Sequence, residues 1–486
     1  MGEGSPLRAV QESDAGILLR SYLKALGGLI VLQTVGIISG AVLVRVFPTQ
    51  EAFGQFSLAQ QVMGLAGLLI GAGIDGAMTM YLSRERHSPK GPVRFSTAYR
   101  FGLWYSLALA LGMVLLAPWI AGLYDAPMLA PVLRVAAPAL FGSAILNTAQ
   151  STNVAYNEFG TQAITTTIYQ VAVAGATMGG AIFFSMNPAQ GAMGVSTAVG
   201  LLVACVVMLH AARRRGFSLY PFGTWEQLPQ MARYGVPLWL GNMLKAYQQP
   251  LILTITGFVS MVEVGLISNA WKLTGYVGVV TWGFMIVTIP YIAENPDPDV
   301  QHRRTRLAMR FNHYIVFPLG AAAAFYATPL VTFVFGSAYA DAARYVPVAA
   351  MATCASALAR LGSQCLAGVG RTKLVTLVMA VPGVWVLIGG PLLIPRWVWS
   401  GPWLLVAGWI VSATAAVWLL GHYNLKLNYA ADLGRPLVAT LVMFAGAFFG
   451  RMAGGFLEPV LALAGLAAGV ALIYRWEAPQ FRESRP

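Results

Sequence analysis

The chain has 486 residues, of which 57% are hydrophobic and only 10% are charged, whereas a soluble domain carries about 25% charged residues. Its formal net charge of +13 comes largely from basic residues in short segments between long apolar runs, a pattern that argues against a nucleic-acid partner. The first apolar run is long enough to span a membrane, so we expect no cleaved signal peptide. The three cysteines lie inside apolar runs without metal-ligand spacing, and we predict neither a metal site nor a cofactor.

Apolar runs with the length of a transmembrane helix recur along the whole chain. We predict fourteen spans, at 20–46, 54–82, 95–120, 132–157, 161–185, 191–212, 234–259, 263–291, 310–335, 342–367, 372–395, 401–424, 435–453 and 457–475. If the N-terminus is cytoplasmic, most Lys and Arg residues fall on the cytoplasmic side, as the positive-inside rule requires. Both termini are therefore expected in the cytoplasm.

Two sequence echoes indicate an internal repeat. Glu51–Ala59 resembles Glu263–Ala270, with Gly, Ser and Ala recurring at an offset of 211. The stretch 138–160 is echoed by 347–370 at an offset of 209–210. We therefore predict an all-α polytopic membrane protein with two six-helix lobes, related by a pseudo-two-fold repeat, and two extra C-terminal helices. The predicted divisions are 1–215 (N-terminal lobe), 216–233 (cytoplasmic linker), 234–430 (C-terminal lobe) and 431–486 (last two helices and cytoplasmic tail).

Four charged residues lie deep inside predicted spans, away from their ends. Lys245, Lys272 and Arg360 belong to the C-terminal lobe, and a central charge costs about 3 kcal/mol on insertion scales. Such cations are usually retained beside a wet cavity or an anionic partner, and the hypothesis is that all three face one cavity. The alternatives are snorkelling and, for the lysines, an ion pair with Glu263. Asp75, flanked by glycines, suits a proton or Na⁺ site, although it could equally bond to a neighbouring backbone.

Polar residues also recur within the apolar spans, and they are candidates for binding the hydroxyl groups of a sugar. The alternative is a structural role in hydrogen bonding between helices, which small polar residues commonly provide. The candidates are Asn147, Gln150 and Asn153 in the fourth span, and Tyr247, Gln248, Asn269 and Trp271 near the two lysines.

The segment Phe47–Ala59 resembles the signature of the polysaccharide transporter family, in which one helix ends and a Gly-Pro-Glu-Glu-Phe-Gly loop starts the next. Weaker matches are Gly73-Ile74-Asp75 and Ala367–Lys373. The family belongs to the MOP superfamily of multidrug and polysaccharide exporters. Its members often carry a basic residue about five positions after the Asp75 position, where this chain has Met80, so a cationic contribution from the first lobe is absent or moved.

The resemblance implies a flippase, not an enzyme, that moves an undecaprenyl-pyrophosphate-linked oligosaccharide (an O-antigen, capsule or exopolysaccharide repeat unit) to the outer leaflet by alternating access. A proton or Na⁺ gradient would drive transport through an ion site at Asp75. The pyrophosphate would be held by Lys245, Lys272 and Arg360. The expected setting is a monomer in the bacterial inner membrane, among membrane lipids and beside the glycan polymerase machinery.

Three other functions stay open at this point. A lipid II flippase would share the span count and a cationic cavity. A MATE-type drug or cation antiporter would need carboxylates in the cleft, whereas the deep charges here are mainly positive. A membrane polymerase or ligase would need a sizeable outer loop, and the predicted outer loops are short.

Overall fold

The structure, a computed structural model, describes residues 33–84, 88, 90–156, 158–293, 297–369, 371–454 and 457–482. Within these ranges the secondary structure is helical and contains no strand, which confirms the all-α prediction.

In the part of the chain that the structure describes, eight α-helices precede the residues predicted as the linker. They are α1 (Gln33–Val46), α2 (Gln50–Gly67), α3 (Ile74–Arg84), α4 (Lys90–Leu123), α5 (Leu129–Ala136), α6 (Pro138–Ala155), α7 (Phe159–Phe183) and α8 (Pro188–Arg213).

Ten further helices follow. They are α9 (Leu228–Ala246), α10 (Gln248–Gly257), α11 (Met261–Ala293), α12 (Pro298–Phe325), α13 (Ala327–Phe335), α14 (Val346–Gly368), α15 (Thr372–Leu393), α16 (Ser400–His422), α17 (Arg435–Ala453) and α18 (Leu457–Arg482). Because α9 already begins at Leu228, it includes the end of the segment predicted as a linker.

Apolar helices of membrane-spanning length run through the described part of the chain. Nine helices there are long enough and apolar enough to span a membrane. The count is ten if α12 and α13, whose axes are bent by 78°, form one broken span. The protein is therefore a multi-pass helical membrane protein, while the count of fourteen spans and the repeat of the lobes stay predictions.

A break separates α2 from α3. Gly71, Ala72 and Gly73 have φ angles of 72°, 40° and 82°, in the left-handed region that interrupts a right-handed helix. Glycine is also required at Gly73 by packing, because a Cβ atom there would lie 2.0 Å from the carbonyl oxygen of Gly235 in α9. The Trp239 indole, also in α9, donates to the Leu68 carbonyl at 2.6 Å. We call the approach of Gly73 to Gly235 the α3–α9 contact.

A second close approach joins α2 to α11 where both helices begin. A Cβ atom on Gly54 would lie 1.9 Å from the carbonyl oxygen of Met261, and one on Gly265 would lie 3.5 Å from the Cα of Gly54. Gly54 and Gly265 occupy corresponding positions of the sequence echo. We call this packing the α2–α11 seam.

The span predicted at 234–259 is divided into α9 and α10 at Tyr247. Pro250 lies in the first turn of α10 and has no N–H to donate to the carbonyl of Ala246, so the helical hydrogen-bond ladder is interrupted at this point. Gln248, directly after this break, is buried.

Ion pairs to buried carboxylates join α12 to α18 and to the short helical turn Tyr429–Gly434 that precedes α17. Arg310 contacts Asp432 at 2.6 Å and Glu477 at 3.0 Å, and Arg306 contacts Asp432 at 2.8 Å. The Tyr314 hydroxyl also donates to Glu477 at 3.0 Å. Since both carboxylates are buried and paired, this network explains how α18 is held against α12.

Candidate functional site

A cavity of about 320 Å³ lies between α10, α11, α14 and α16 in the second half of the chain. Among the described residues, its lining contains one cation, Arg360, and no acidic residue. The residues that line it are Ala246, Gln248, Gln249, Trp271, Trp282, Ala349, Ala352, Thr353, Ser356, Arg360, Leu405 and Trp409. The lining therefore combines tryptophan and aliphatic side chains with amide, hydroxyl and guanidinium groups.

Arg360 supplies the charge of this cavity. Its guanidinium carbon lies 4.9 Å from the centre of the Trp409 ring, and its buried Nε has no hydrogen-bond partner among the described residues. No acidic side chain in that part of the chain forms an ion pair with it. Aromatic contact offsets only part of the cost of removing a guanidinium from water, so the site can accept an anion.

Three of the residues predicted from the sequence meet in this cavity: Arg360, Gln248 and Trp271. Four further lining residues were not predicted from the sequence: Trp282, Trp409, Thr353 and Ser356. Helical periodicity would have identified three of them, because Trp282 follows Trp271 by three turns, and Thr353, Ser356 and Arg360 share one face of α14. Trp409 carries no such signal, since it comes from α16.

Lys272 lies at the α2–α11 seam and is not among the residues that line the cavity. Its Nζ is 4.8 Å from the centre of the Phe53 ring. A Cβ atom on Gly40 would be 3.5 Å from the Lys272 Cδ, so the lysine stem packs against α1. Within the described residues Lys272 has no ion-pair partner. Glu263, the partner considered for it, is engaged elsewhere.

Glu263 accepts hydrogen bonds from two residues that precede or begin α14. The Arg344 guanidinium forms an ion pair with one carboxylate oxygen, and the Tyr345 hydroxyl donates to the other at 2.5 Å. Because both oxygens are occupied, Glu263 does not neutralise Lys272.

Three other residues predicted in the second half are not in the cavity lining described above. The side chain of Lys245 is outside the described residues, although its backbone belongs to the last turn of α9. Tyr247 is buried, and its hydroxyl has no partner among the described residues. Asn269 is fully buried in α11, and neither atom of its amide has a partner within that same part of the chain. Buried polar groups without partners are costly, and they are common where a ligand or water binds.

Asp75 lies in the first turn of α3, directly after the left-handed residues. The Thr148 hydroxyl of α6 donates to its carboxylate at 3.0 Å. A Cβ atom on Gly71 would be 2.4 Å from the other carboxylate oxygen, so the side chain folds back over the break. No basic side chain of the described residues forms an ion pair with it. The carboxylate is therefore without a fixed positive partner there.

The polar residues predicted in the fourth span do not meet at one place. Asn147 is exposed, and the Gln150 amide donates to Thr166 of α7 at 3.0 Å. Asn153 is buried and accepts from Arg215 at 3.1 Å. Glu158 contacts the same Arg215 at 3.0 Å. Gln150 and Asn153 thus make the contacts between helices that the alternative interpretation describes.

Comparisons with known proteins agree with this architecture. The chain matches the family model described as polysaccharide biosynthesis protein over residues 42–344. The lipid II flippase MurJ in an inward closed conformation superposes with a TM-score of 0.77 at 12% identity, covering 94% of this chain and 99% of that one. An inward-facing MATE multidrug transporter of the MOP superfamily gives a TM-score of 0.59 at 16% identity, covering 81% and 94%.

A third solved structure is a MOP superfamily transporter from Pyrococcus furiosus, described as having a binding pocket of reverse polarity that suggests a different function. It has a TM-score of 0.57 at 16% identity, covering 87% of this chain and 99% of that one. No curated protein sequence matches the chain significantly. The matched family model spans more than half of the chain, so this protein belongs to the polysaccharide biosynthesis protein family and has the fold of MOP superfamily transporters.

Proposed function

We propose that the protein is a flippase that moves a polyprenyl-pyrophosphate-linked oligosaccharide from the cytoplasmic to the outer leaflet of the bacterial inner membrane. The observation that carries the proposal is the pair of cations Lys272 and Arg360, which lie on apolar helices and have no acidic partner among the described residues. A diphosphate head group supplies the missing negative charge. Lys245, two residues before the break between α9 and α10, is the third cation of the proposed group.

Membership in the polysaccharide biosynthesis family supports a glycan as the cargo. The structural likeness to a lipid II flippase keeps that substrate as the second candidate, because lipid II is also a lipid-linked diphosphate. A drug or cation antiporter is the weaker candidate. The cavity has an arginine and, among the described residues, no acidic side chain in its lining, and an arginine repels a cationic drug.

Alternating access is the proposed mechanism, with two six-helix lobes moving about the site and the last two of fourteen helices attached to the second lobe. Two contacts between the halves support it. The α2–α11 seam closes the end where α2 and α11 begin, and the α3–α9 contact lies beyond the break in the same α2–α3 pair. Each is a backbone-to-backbone approach at glycine, with no salt bridge among the described residues to break on opening.

A coupling ion would bind at Asp75. The carboxylate has one hydroxyl donor, Thr148, and stands beside Gly71 and Ala72, whose left-handed backbone leaves the regular helical hydrogen-bond pattern. Carboxylate, hydroxyl and carbonyl oxygens are ligands that suit Na⁺, and an unpaired carboxylate also suits a proton. The break itself packs against α9, so an ion bound there would act on the α3–α9 contact.

The test is translocation in proteoliposomes. Vesicles carrying the protein and a fluorescent polyprenyl diphosphate disaccharide are treated with a glycosidase that reaches only the outer leaflet. The proposal predicts that the protein makes the inner pool accessible and that a Lys272→Met, Arg360→Met double variant slows this at least about tenfold. Equal rates in vesicles with the native protein and in protein-free vesicles would refute it.

A further inference from the structure

We infer that the cavity around Arg360 binds a glycosyl phosphate, with a phosphate oxygen on the guanidinium and one sugar ring against Trp271. The inference rests on the proposed function and deepens it, because it names the part of the lipid-linked glycan that enters the second half of the bundle. This part is the junction between the diphosphate and the first sugar.

The charge of the cavity selects an oxyanion. Of the lining residues that the structure describes, Arg360 is the one that carries a charge, and its buried Nε has no partner among them. The contact with Trp409 holds the guanidinium in place but does not neutralise it. Arginine donates through a planar fork of N–H groups, which matches two oxygens of a phosphate.

The aromatic lining selects a ring with apolar faces. Trp271 and Trp282 lie on one face of α11, three helical turns apart, and Trp409 faces the same cavity from α16. Tryptophan combines a large apolar surface with an N–H donor, so it suits a ligand with both C–H faces and hydroxyl groups. Gln248 and Ser356 add amide and hydroxyl groups at the wall.

The volume limits what enters. Ligand pockets range from about 300 to 1,000 Å³, and this cavity of about 320 Å³ is at the small end of that range. It accommodates one sugar with its phosphate, and the remaining sugars must lie outside it. A polyprenyl tail does not fit the lining, because hydrocarbon would leave the buried Nε of Arg360 without a hydrogen-bond partner.

Lys272 belongs to a different place. On an α-helix consecutive residues are about 100° apart, so Trp271 faces the cavity while Lys272 faces α1 and Phe53. A diphosphate held between these two faces of α11 would place its sugar-bearing phosphate on Arg360 and leave the other phosphate toward Lys272.

The experiment measures binding to the full-length protein in nanodiscs by isothermal titration calorimetry and thermal stabilisation. The probes are glucose 1-phosphate, methyl glucoside and inorganic phosphate at equal millimolar concentrations. We expect glucose 1-phosphate to bind at least about tenfold more tightly than either of the other probes. Arg360→Met should abolish this advantage, Arg360→Lys should retain part of it, and Trp271→Leu should reduce glucose 1-phosphate to the level of inorganic phosphate.

The matched control is Arg451→Met, because the Arg451 guanidinium also lies over an aromatic ring, 5.6 Å from the centre of Phe325, but outside the cavity. It should leave all three affinities unchanged. The inference is overturned if inorganic phosphate binds as tightly as glucose 1-phosphate, if none of the probes binds, or if Arg360→Met has no effect.

Two combinations of results from the translocation and binding experiments distinguish a failure of this inference from a failure of the proposed function. If translocation of the lipid-linked disaccharide proceeds but glucose 1-phosphate shows no preference for the cavity, only the subsite is wrong. If glucose 1-phosphate binds through Arg360 but no lipid-linked glycan is translocated, the subsite stands and the flippase proposal fails.

Discussion

The Nζ of Lys272 lies 4.8 Å from the centre of the Phe53 ring, across the seam between α11 and α2. Such a contact contributes about 0.5–2 kcal/mol, which is less than the cost of about 3 kcal/mol for a lysine at the centre of a membrane. The lysine therefore lowers the stability of the resting fold, and an anion that crosses between the halves would compensate for it.

Replacing Lys272 by Met should slow translocation by at least about tenfold while leaving thermal stability unchanged or slightly raised, because the apolar isostere removes an unpaired buried charge. Lys272→Arg, which keeps the charge, should retain more activity. Lys90→Met, at an exposed position, serves as the control. Full activity of Lys272→Met would show that translocation does not need this charge. A clear loss of its thermal stability would show that the lysine is structural.

The two glycine contacts should control opposite ends of the bundle. Gly54→Ala places a methyl group against the Met261 carbonyl, so it should separate α2 from α11. Gly73→Ala places one against the Gly235 carbonyl and also strains a residue with a φ of 82°, so it should separate α3 from α9. Both changes should slow translocation, because each biases the protein toward one conformation.

Double electron–electron resonance between exposed positions measures these separations. Labels at Glu51 and Asp341 report on the α2–α11 end, and labels at Lys90 and Arg233 report on the α3–α9 end. Gly64→Ala is the control, since a Cβ atom there meets nothing within 4 Å. If both glycine variants lengthen the same distance, the two contacts do not act as separate gates.

Asp75→Asn should abolish the dependence of translocation on an imposed ion gradient. The amide oxygen can still accept from Thr148, so the local fold is preserved while the negative charge is lost. Rates are compared with and without proton and Na⁺ gradients, and basal exchange without a gradient should persist. Thr148→Val, which removes the hydroxyl donor but keeps the carboxylate, should weaken the response only partly. An unchanged response of Asp75→Asn to both gradients would exclude this residue as the coupling site.

Breaking the network that holds α18 should destabilise the protein without a specific effect on the cargo. Arg310→Met leaves Asp432 and Glu477 without their closest cation, and disrupting a buried pair costs about 3–5 kcal/mol. Arg214→Met is the control. The pair it forms with Glu158 is largely exposed, and such pairs contribute about 0–1 kcal/mol. Equal thermal stability of the two variants would contradict this assignment.

The sequence predicted the helical class and part of the cavity, because both depend on local pattern. Apolar runs predict helices. A charged residue inside such a run, such as Arg360, is recognisable from the sequence without knowledge of its tertiary contacts. The sequence did not separate Trp271 from Lys272, which are adjacent in the chain but face a cavity and a seam respectively. The faces of a nearly uniformly apolar helix are decided by packing with neighbours, which the pattern does not record.

Long-range contacts explain the other differences. Asn153 resembles a sugar ligand in the sequence, yet its partner is Arg215. Glu263 seemed available to Lys272, and its partners are Arg344 and Tyr345. In both cases the partner lies more than sixty residues away in the chain and is selected by the tertiary fold. The predicted spans 54–82 and 234–259 ran through both helix breaks, although the glycines at 71 and 73 and Pro250 mark them locally.

Mass spectrometry of the lipids that co-purify with the protein tests the central claim most directly, because it identifies what the unpaired cations of the second half retain. The account predicts a polyprenyl diphosphate glycan in the native protein and in Arg451→Met, and its depletion in the Lys272→Met, Arg360→Met double variant. Recovery of bulk phospholipid alone, or of the same glycolipid in equal amounts from all three proteins, would contradict it.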